Sequence, residues 1–119
     1  MTHTKSLGRV LVVDDNEAFC HSTAEILQLA GHEAVGVRGA EEARPVLAQG
    51  DVALVLLDVG VDFTGLRLLP EIREPTRVIL VSGGLDRRRV PRVGPKFLTK
   101  PVTPQLLLAE VENHLRPTG

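Results

Sequence analysis

Short aliphatic runs separated by stretches of helical period constrain this chain more than any other feature. The runs are Val10–Val13, Ala34–Val37, Val52–Leu57, Val78–Val81 and Phe97–Leu98. Four of them are continuous or nearly so, rather than alternating apolar with polar. Strands buried on both faces read this way, and they belong to parallel sheets covered by helices. Between the runs, Asn16–Ala30 carries Phe19, Thr23, Ile26, Leu27 and Ala30 on one stripe, with Asp15 or Asn16 to cap its start and Gly31 its end. Ala40–Ala48 is a shorter helical candidate that contains Pro45, and Gly65–Arg73 offers Leu66, Leu69 and Ile72. In the last helix Thr103 is the cap and Pro104 the first helical residue, followed by Leu107, Leu108, Val111 and Leu115. Alternating strand and helix, five times over, argues for a doubly wound α/β fold with right-handed crossovers. Gly83–Lys96 is rich in glycine and proline, so the fourth helix is expected to be short or irregular.

The chain has 119 residues, which suits one domain with a core of about 9–115. With 14 basic and 15 acidic residues the net charge is −1, which speaks against wholesale attraction to nucleic acid or an anionic membrane. The single cysteine, Cys20, cannot form an intramolecular disulfide. Val52–Leu57, the longest apolar run, is far too short to span a bilayer. With no signal-peptide pattern either, the expected location is cytoplasmic.

In an open α/β sheet, functional groups gather at the carboxyl ends of the strands. The first strand ends in Asp14-Asp15, the third in Asp58, the fourth in Ser82 and the fifth in Lys100-Pro101. Three converging carboxylates repel one another, so one holds a proton or a cation sits between them. Hard oxygen donors without a nearby cysteine or histidine favour Mg²⁺ over Zn²⁺. His3, His21, His32 and His114 show no ligand spacing. A divalent cation, a lysine and a hydroxyl suit a transferring phosphoryl group, with one aspartate as nucleophile.

From about Arg9 to Leu115, this constellation resembles the receiver domain of two-component response regulators. The resemblance implies a flavodoxin-like five-stranded parallel sheet in the order 2-1-3-4-5. It makes Asp58 the phosphoacceptor and assigns Mg²⁺ to Asp14, Asp15, Asp58 and the backbone carbonyl of Gly60. Ser82 and Lys100 serve the phosphoryl group, Ser82 and Phe97 are the switch residues, and the Lys100–Pro101 peptide is cis. The implied donor is a histidine kinase or a histidine phosphotransfer protein, and the phosphorylated surface then addresses a downstream protein. Such a domain hydrolyses its own phosphoryl group without acting on a separate substrate. Asp58–Gly65 departs from the family pattern: it lacks the usual proline and is about one residue short.

Two other readings use the same residues. One is a receiver-like interaction module that is never phosphorylated, which the intact acidic residues, Ser82 and Lys100 argue against. The other is a small aspartyl-nucleophile phosphohydrolase. Such enzymes usually place a second aspartate two residues after the nucleophile, where this chain has Gly60. Arg87, Arg88, Arg89, Arg92 and Lys96 form a basic cluster against Asp86, read as a solvated loop in preference to a docking patch.

Overall fold

The computed structural model describes residues 8–60, 64–83 and 96–115. In chain order these form β1 (Arg9–Val13), α1 (Glu17–Leu29), β2 (Ala34–Val37), α2 (Ala40–Ala48), β3 (Val52–Asp58), a 3-10 helix (Thr64–Glu71), β4 (Arg77–Gly83), β5 (Lys96–Lys100) and α3 (Pro104–Leu115). The five strands are all parallel, in the order β2-β1-β3-β4-β5. Among the described residues, no helix is long and apolar enough to cross a membrane. The expected fourth helix, and Arg87, Arg88, Arg89 and Arg92 with it, lie outside the described residues.

The continuous apolar runs have a simple cause. Successive side chains of a strand point to opposite faces, and here both faces are covered. Val10 and Val12 of β1, with Leu54, Leu56, Ile79, Val81 and Leu98, pack against α1 and α3. Leu11 and Val13, with Val55, Leu57 and Leu80, pack against α2 and Leu68 of the 3-10 helix. The edge strands are less covered, and Gly36 and Thr99 are exposed.

Local signals hold at the helix ends. The Asn16 side chain accepts a hydrogen bond from the Phe19 backbone N–H and starts α1. Thr103 starts α3 in the same way, accepting from Leu106 N–H at 3.1 Å. Pro45 removes one internal bond from α2, yet the helix continues to Ala48. The buried stripe of α1 is broader than expected. Cys20 and Ala24 are buried with Thr23 and Leu27, whereas Ala30 is exposed. The reason lies in β2: a Cβ at Gly36 would stand 2.7 Å from Cys20 Sγ, so glycine lets α1 settle closely on the sheet edge.

The segment read as a third α-helix over Gly65–Arg73 is instead the 3-10 helix Thr64–Glu71. Pro70 lies inside it, and in an α-helix its ring would clash with the carbonyl four residues back. Leu68, absent from the expected stripe, becomes the fully buried side chain, and Leu69 and Ile72 pack partly against it. Arg44 of α2 makes a two-pronged pair with Glu71, at 2.8 and 2.9 Å, fastening the end of this helix.

Candidate functional site

Strand register brings the predicted polar groups to one edge of the sheet. Val13 pairs with Leu57, Asp58 with Val81, Ser82 with Thr99 and Gly83 with Lys100. Asp14, Asp58, Ser82 and Lys100 therefore all stand at the carboxyl ends of their strands. Because the strands are apolar on both faces, these ends are where a strand can carry charge without burying it beneath a helix.

Asp14 is almost completely buried, with 2% of its side chain exposed. It is held from two sides. Its Oδ1 accepts the Asn16 backbone N–H at 2.9 Å, and its Oδ2 accepts from Lys100 Nζ at 2.9 Å. Asp58 is 11% exposed, and its Oδ1 lies 3.4 Å from the same ammonium. Asp15 is exposed. One carboxylate oxygen from each of Asp14, Asp15 and Asp58 falls within 4.8 Å of the other two. Ser82 is buried near the end of β4, one residue past Val81, the register partner of Asp58. Gly60 lines the same cleft and has φ of 81°, a left-handed conformation that a residue with a Cβ adopts only under strain.

The charges explain the titration tendencies. Burial pushes the Asp58 carboxyl above its ordinary value, and the negative charge of Asp14 pushes it further; Lys100 offsets part of this, and Asp15 adds to it. Burial alone would lower the Lys100 pKa. The hydrogen bond and charge of Asp14, followed by those of Asp58, outweigh burial and hold the ammonium above the ordinary lysine value. Three carboxylates against one ammonium leave two uncompensated charges among these four groups. The donors are all hard oxygens in an open, solvent-facing cleft of about 270 Å³. That chemistry fits Mg²⁺ and leaves room for its retained waters.

Phe97 is half-buried on the α2 side of the sheet, next to Leu80 in the register, so it does not reach into the acidic cleft. The Lys100–Pro101 peptide is cis, as is Glu74–Pro75. Cys20 is buried, and burial raises its thiol pKa. His32 and His114 face Glu112 and Glu110, away from the acidic cluster.

Two features escaped the sequence. Phe19, assigned only to the core stripe of α1, has its ring centroid 4.1 Å from Lys100 Nζ. Lys100 is remote from it in the sequence, so no local signal marked the contact. Arg38, Arg44 and Arg67 line the same cleft as the carboxylates. Arg38 also lies 3.7 Å from Glu17, and Arg44 is engaged by Glu71.

A family model described as the response regulator receiver domain matches residues 10–112. Response regulator protein FleR of Pseudomonas aeruginosa is 34% identical over 115 residues, covering 90% of this chain and 24% of its own length. Transcriptional regulatory protein YvrH of Bacillus subtilis is 29% identical over 117 residues, covering 92% of this chain and 49% of its own. The chain thus spans half or less of the length of these curated relatives. Among solved structures, a CheY-like response regulator receiver domain protein from Methanospirillum hungatei JF-1 has a TM-score of 0.77 at 29% identity, covering 92% of this chain and 94% of that one. The receiver domain of NtrX from Brucella abortus also has a TM-score of 0.77 at 29% identity, with coverage of 92% and 99%.

Proposed function

The chain belongs to the response regulator receiver domain family, and from that premise we propose that Asp58 is its phosphoacceptor. The observation that carries this reading is the arrangement around Lys100 Nζ. It contacts both Asp14 and Asp58 while three carboxylate oxygens crowd within 4.8 Å. The donor is a phosphohistidine on a histidine kinase or a phosphotransfer protein. An Asp58 carboxylate oxygen attacks phosphorus and forms a P–O bond as the P–N bond to the donor breaks. The electron pair passes to the ring nitrogen, and the imidazole leaves neutral, keeping the proton on its other nitrogen.

Asp14, Asp15, Asp58 and the Gly60 carbonyl would hold Mg²⁺, which supplies electrostatic stabilisation of the transferring phosphoryl oxygens. Lys100 neutralises part of the developing charge from the Asp14 side. The Ser82 hydroxyl donates to a phosphoryl oxygen and, with Phe97, forms the switch that alters the surface offered to a downstream protein. Later hydrolysis of the acyl phosphate resets the chain, with no separate substrate involved. A reducing cytoplasm suits its single, buried cysteine. The domain's core is read as about residues 9–115, around the matched residues 10–112.

Intact-mass measurement after incubation with phosphoramidate tests the assignment. One added phosphate is expected with Mg²⁺, none with a chelator, and none in Asp58→Asn. Equal labelling of that variant refutes it.

A further inference from the structure

Lys100 is held from three sides, and the third is an aromatic ring. Its Nζ lies 2.9 Å from Asp14 Oδ2, 3.4 Å from Asp58 Oδ1 and 4.1 Å from the centroid of the Phe19 ring. An ammonium at that distance is attracted by the negative face of the ring. The ring is itself fixed by the start of α1. The Phe19 backbone N–H donates to Asn16 Oδ1 at 3.0 Å, and the Asn16 N–H donates to Asp14 Oδ1 at 2.9 Å. Phe19 also packs partly against the core cluster beneath α1. The circuit closes: Asp14 holds Asn16, Asn16 holds Phe19, Phe19 faces Lys100, and Lys100 returns to Asp14.

We propose that Phe19 is a positioning residue for phosphoryl transfer, its ring keeping the Lys100 ammonium beside Asp58. The inference rests on the reading of Asp58 as phosphoacceptor. A lysine is a point charge on a flexible four-carbon stem, and two carboxylates alone leave that stem room to swing. The ring restricts the swing. It also makes partial burial of the ammonium favourable, where an aliphatic side chain would only remove water from it. Its attraction does not depend on the charge at Asp58. Phe19 therefore holds the lysine equally well before and after the carboxylate becomes an acyl phosphate.

The test compares Phe19→Leu, Phe19→Tyr and the parent chain, each with Lys100 present and with Lys100→Met. Phosphate uptake from phosphoramidate at saturating Mg²⁺ is followed by intact mass, and folding is followed in urea. With Lys100 present, Phe19→Leu is expected to slow uptake about three- to tenfold, the range that an ammonium over a ring implies, whereas Phe19→Tyr keeps the parent rate. With Lys100→Met, Phe and Leu at position 19 are expected to behave alike, because no ammonium remains to position. Parent-like uptake by Phe19→Leu, a Tyr variant as slow as Leu, or an equal loss with Lys100→Met overturns the proposal. A core-packing role predicts that last result. Where Lys100→Met takes up phosphate too slowly to time, the urea cycle decides. A coupling of about threefold or more between positions 19 and 100 in the folding equilibrium constant supports the proposal, and additive effects overturn it. Failure of the parent chain to take up phosphate overturns the phosphoacceptor reading instead, and the urea cycle still decides the contact between Phe19 and Lys100.

Discussion

Replacing Asp58 by asparagine should stabilise the fold when divalent cations are chelated, although it removes the proposed reacting group. The substitution keeps the shape and deletes one charge. At 4.8 Å, the widest separation of the three ligand oxygens, and an effective dielectric of about 20, two carboxylates repel by about 3.5 kcal/mol. With one partner in water, as for exposed Asp15, the figure falls to about 0.9 kcal/mol. Against this, Lys100 at 3.4 Å attracts Asp58 by about 5 kcal/mol at the same effective dielectric of about 20. Repulsion from Asp14 and Asp15 together, about 4.4 kcal/mol, thus nearly cancels the attraction to Lys100. What remains is the cost of burying a carboxylate that is 11% exposed. The upward displacement of the Asp58 pKa has the same sign as that remainder. Asp58→Asn should therefore gain about 1 kcal/mol, or roughly 4 °C in Tm. Because the folded pKa is raised, the folded state binds more protons than the unfolded one between the ordinary aspartate value and the raised value. Stability conferred by Asp58 therefore falls as pH rises through that window. The advantage of the variant is largest at neutral pH and closes on acidification. Mg²⁺ reverses the order, stabilising the parent chain more, because the variant has lost a charged ligand. Urea unfolding of both chains, in chelator and in Mg²⁺, measures all of this. A variant less stable than the parent in chelator would refute the charge argument.

Three further outcomes follow from the geometry. Asp15→Ala should weaken Mg²⁺ binding at least about tenfold, and Ser82→Ala much less, because only the first removes a charged oxygen donor; titration of the unphosphorylated chains checks this, and comparable losses refute it. Gly36→Ala should cost about 1–3 kcal/mol in urea unfolding, because its Cβ would stand 2.7 Å from Cys20 Sγ; a cost near zero would show that α1 can move aside. Cys20, buried and with its thiol pKa raised by burial, should resist a thiol reagent in the folded chain and react on unfolding; rapid labelling of the native chain contradicts the packing.

Sequence and structure agree where a local rule has no competitor, and part where a distant contact decides. Val10–Val13 and Val52–Leu57 can be read as strands because an apolar run of that length, followed by aspartate, has few other homes. Asn16 and Thr103 read as caps for the same reason. The 3-10 helix was misread because Leu66, Leu69 and Ile72 fit a helical stripe, whereas Pro70 acts on the winding and not on the pattern. Its buried residue is then Leu68. The face of α1 was displaced because Gly36, on another element, lets Cys20 inward. Phe19 is an apolar residue on an apolar stripe, and nothing near it in sequence announces the ammonium supplied by β5.

Strands that are apolar on both faces leave their ends as the place for charge, and this joins the fold to the chemistry. Parallel strands expose all their carboxyl ends at one edge, so the aspartates of β1 and β3 meet the lysine of β5 there. Basic residues are close by, yet they do not settle the account. Arg44 is taken by Glu71, and Arg38 lies nearer to Glu17 than any salt bridge places it to an aspartate of the cluster. Among the described residues, Lys100 forms ion pairs with both Asp14 and Asp58. Among Asp14, Asp15, Asp58 and Lys100 two negative charges thus remain, the amount that one divalent cation supplies. Burial of the Asp58 carboxyl, with the charge of Asp14 behind it, raises its pKa and makes its loss stabilising in chelator, while the charge imbalance favours a divalent cation. The pH profile and the urea measurement accordingly probe the burial of Asp58, and the metal titration probes the uncompensated charge at the carboxyl edge of the sheet.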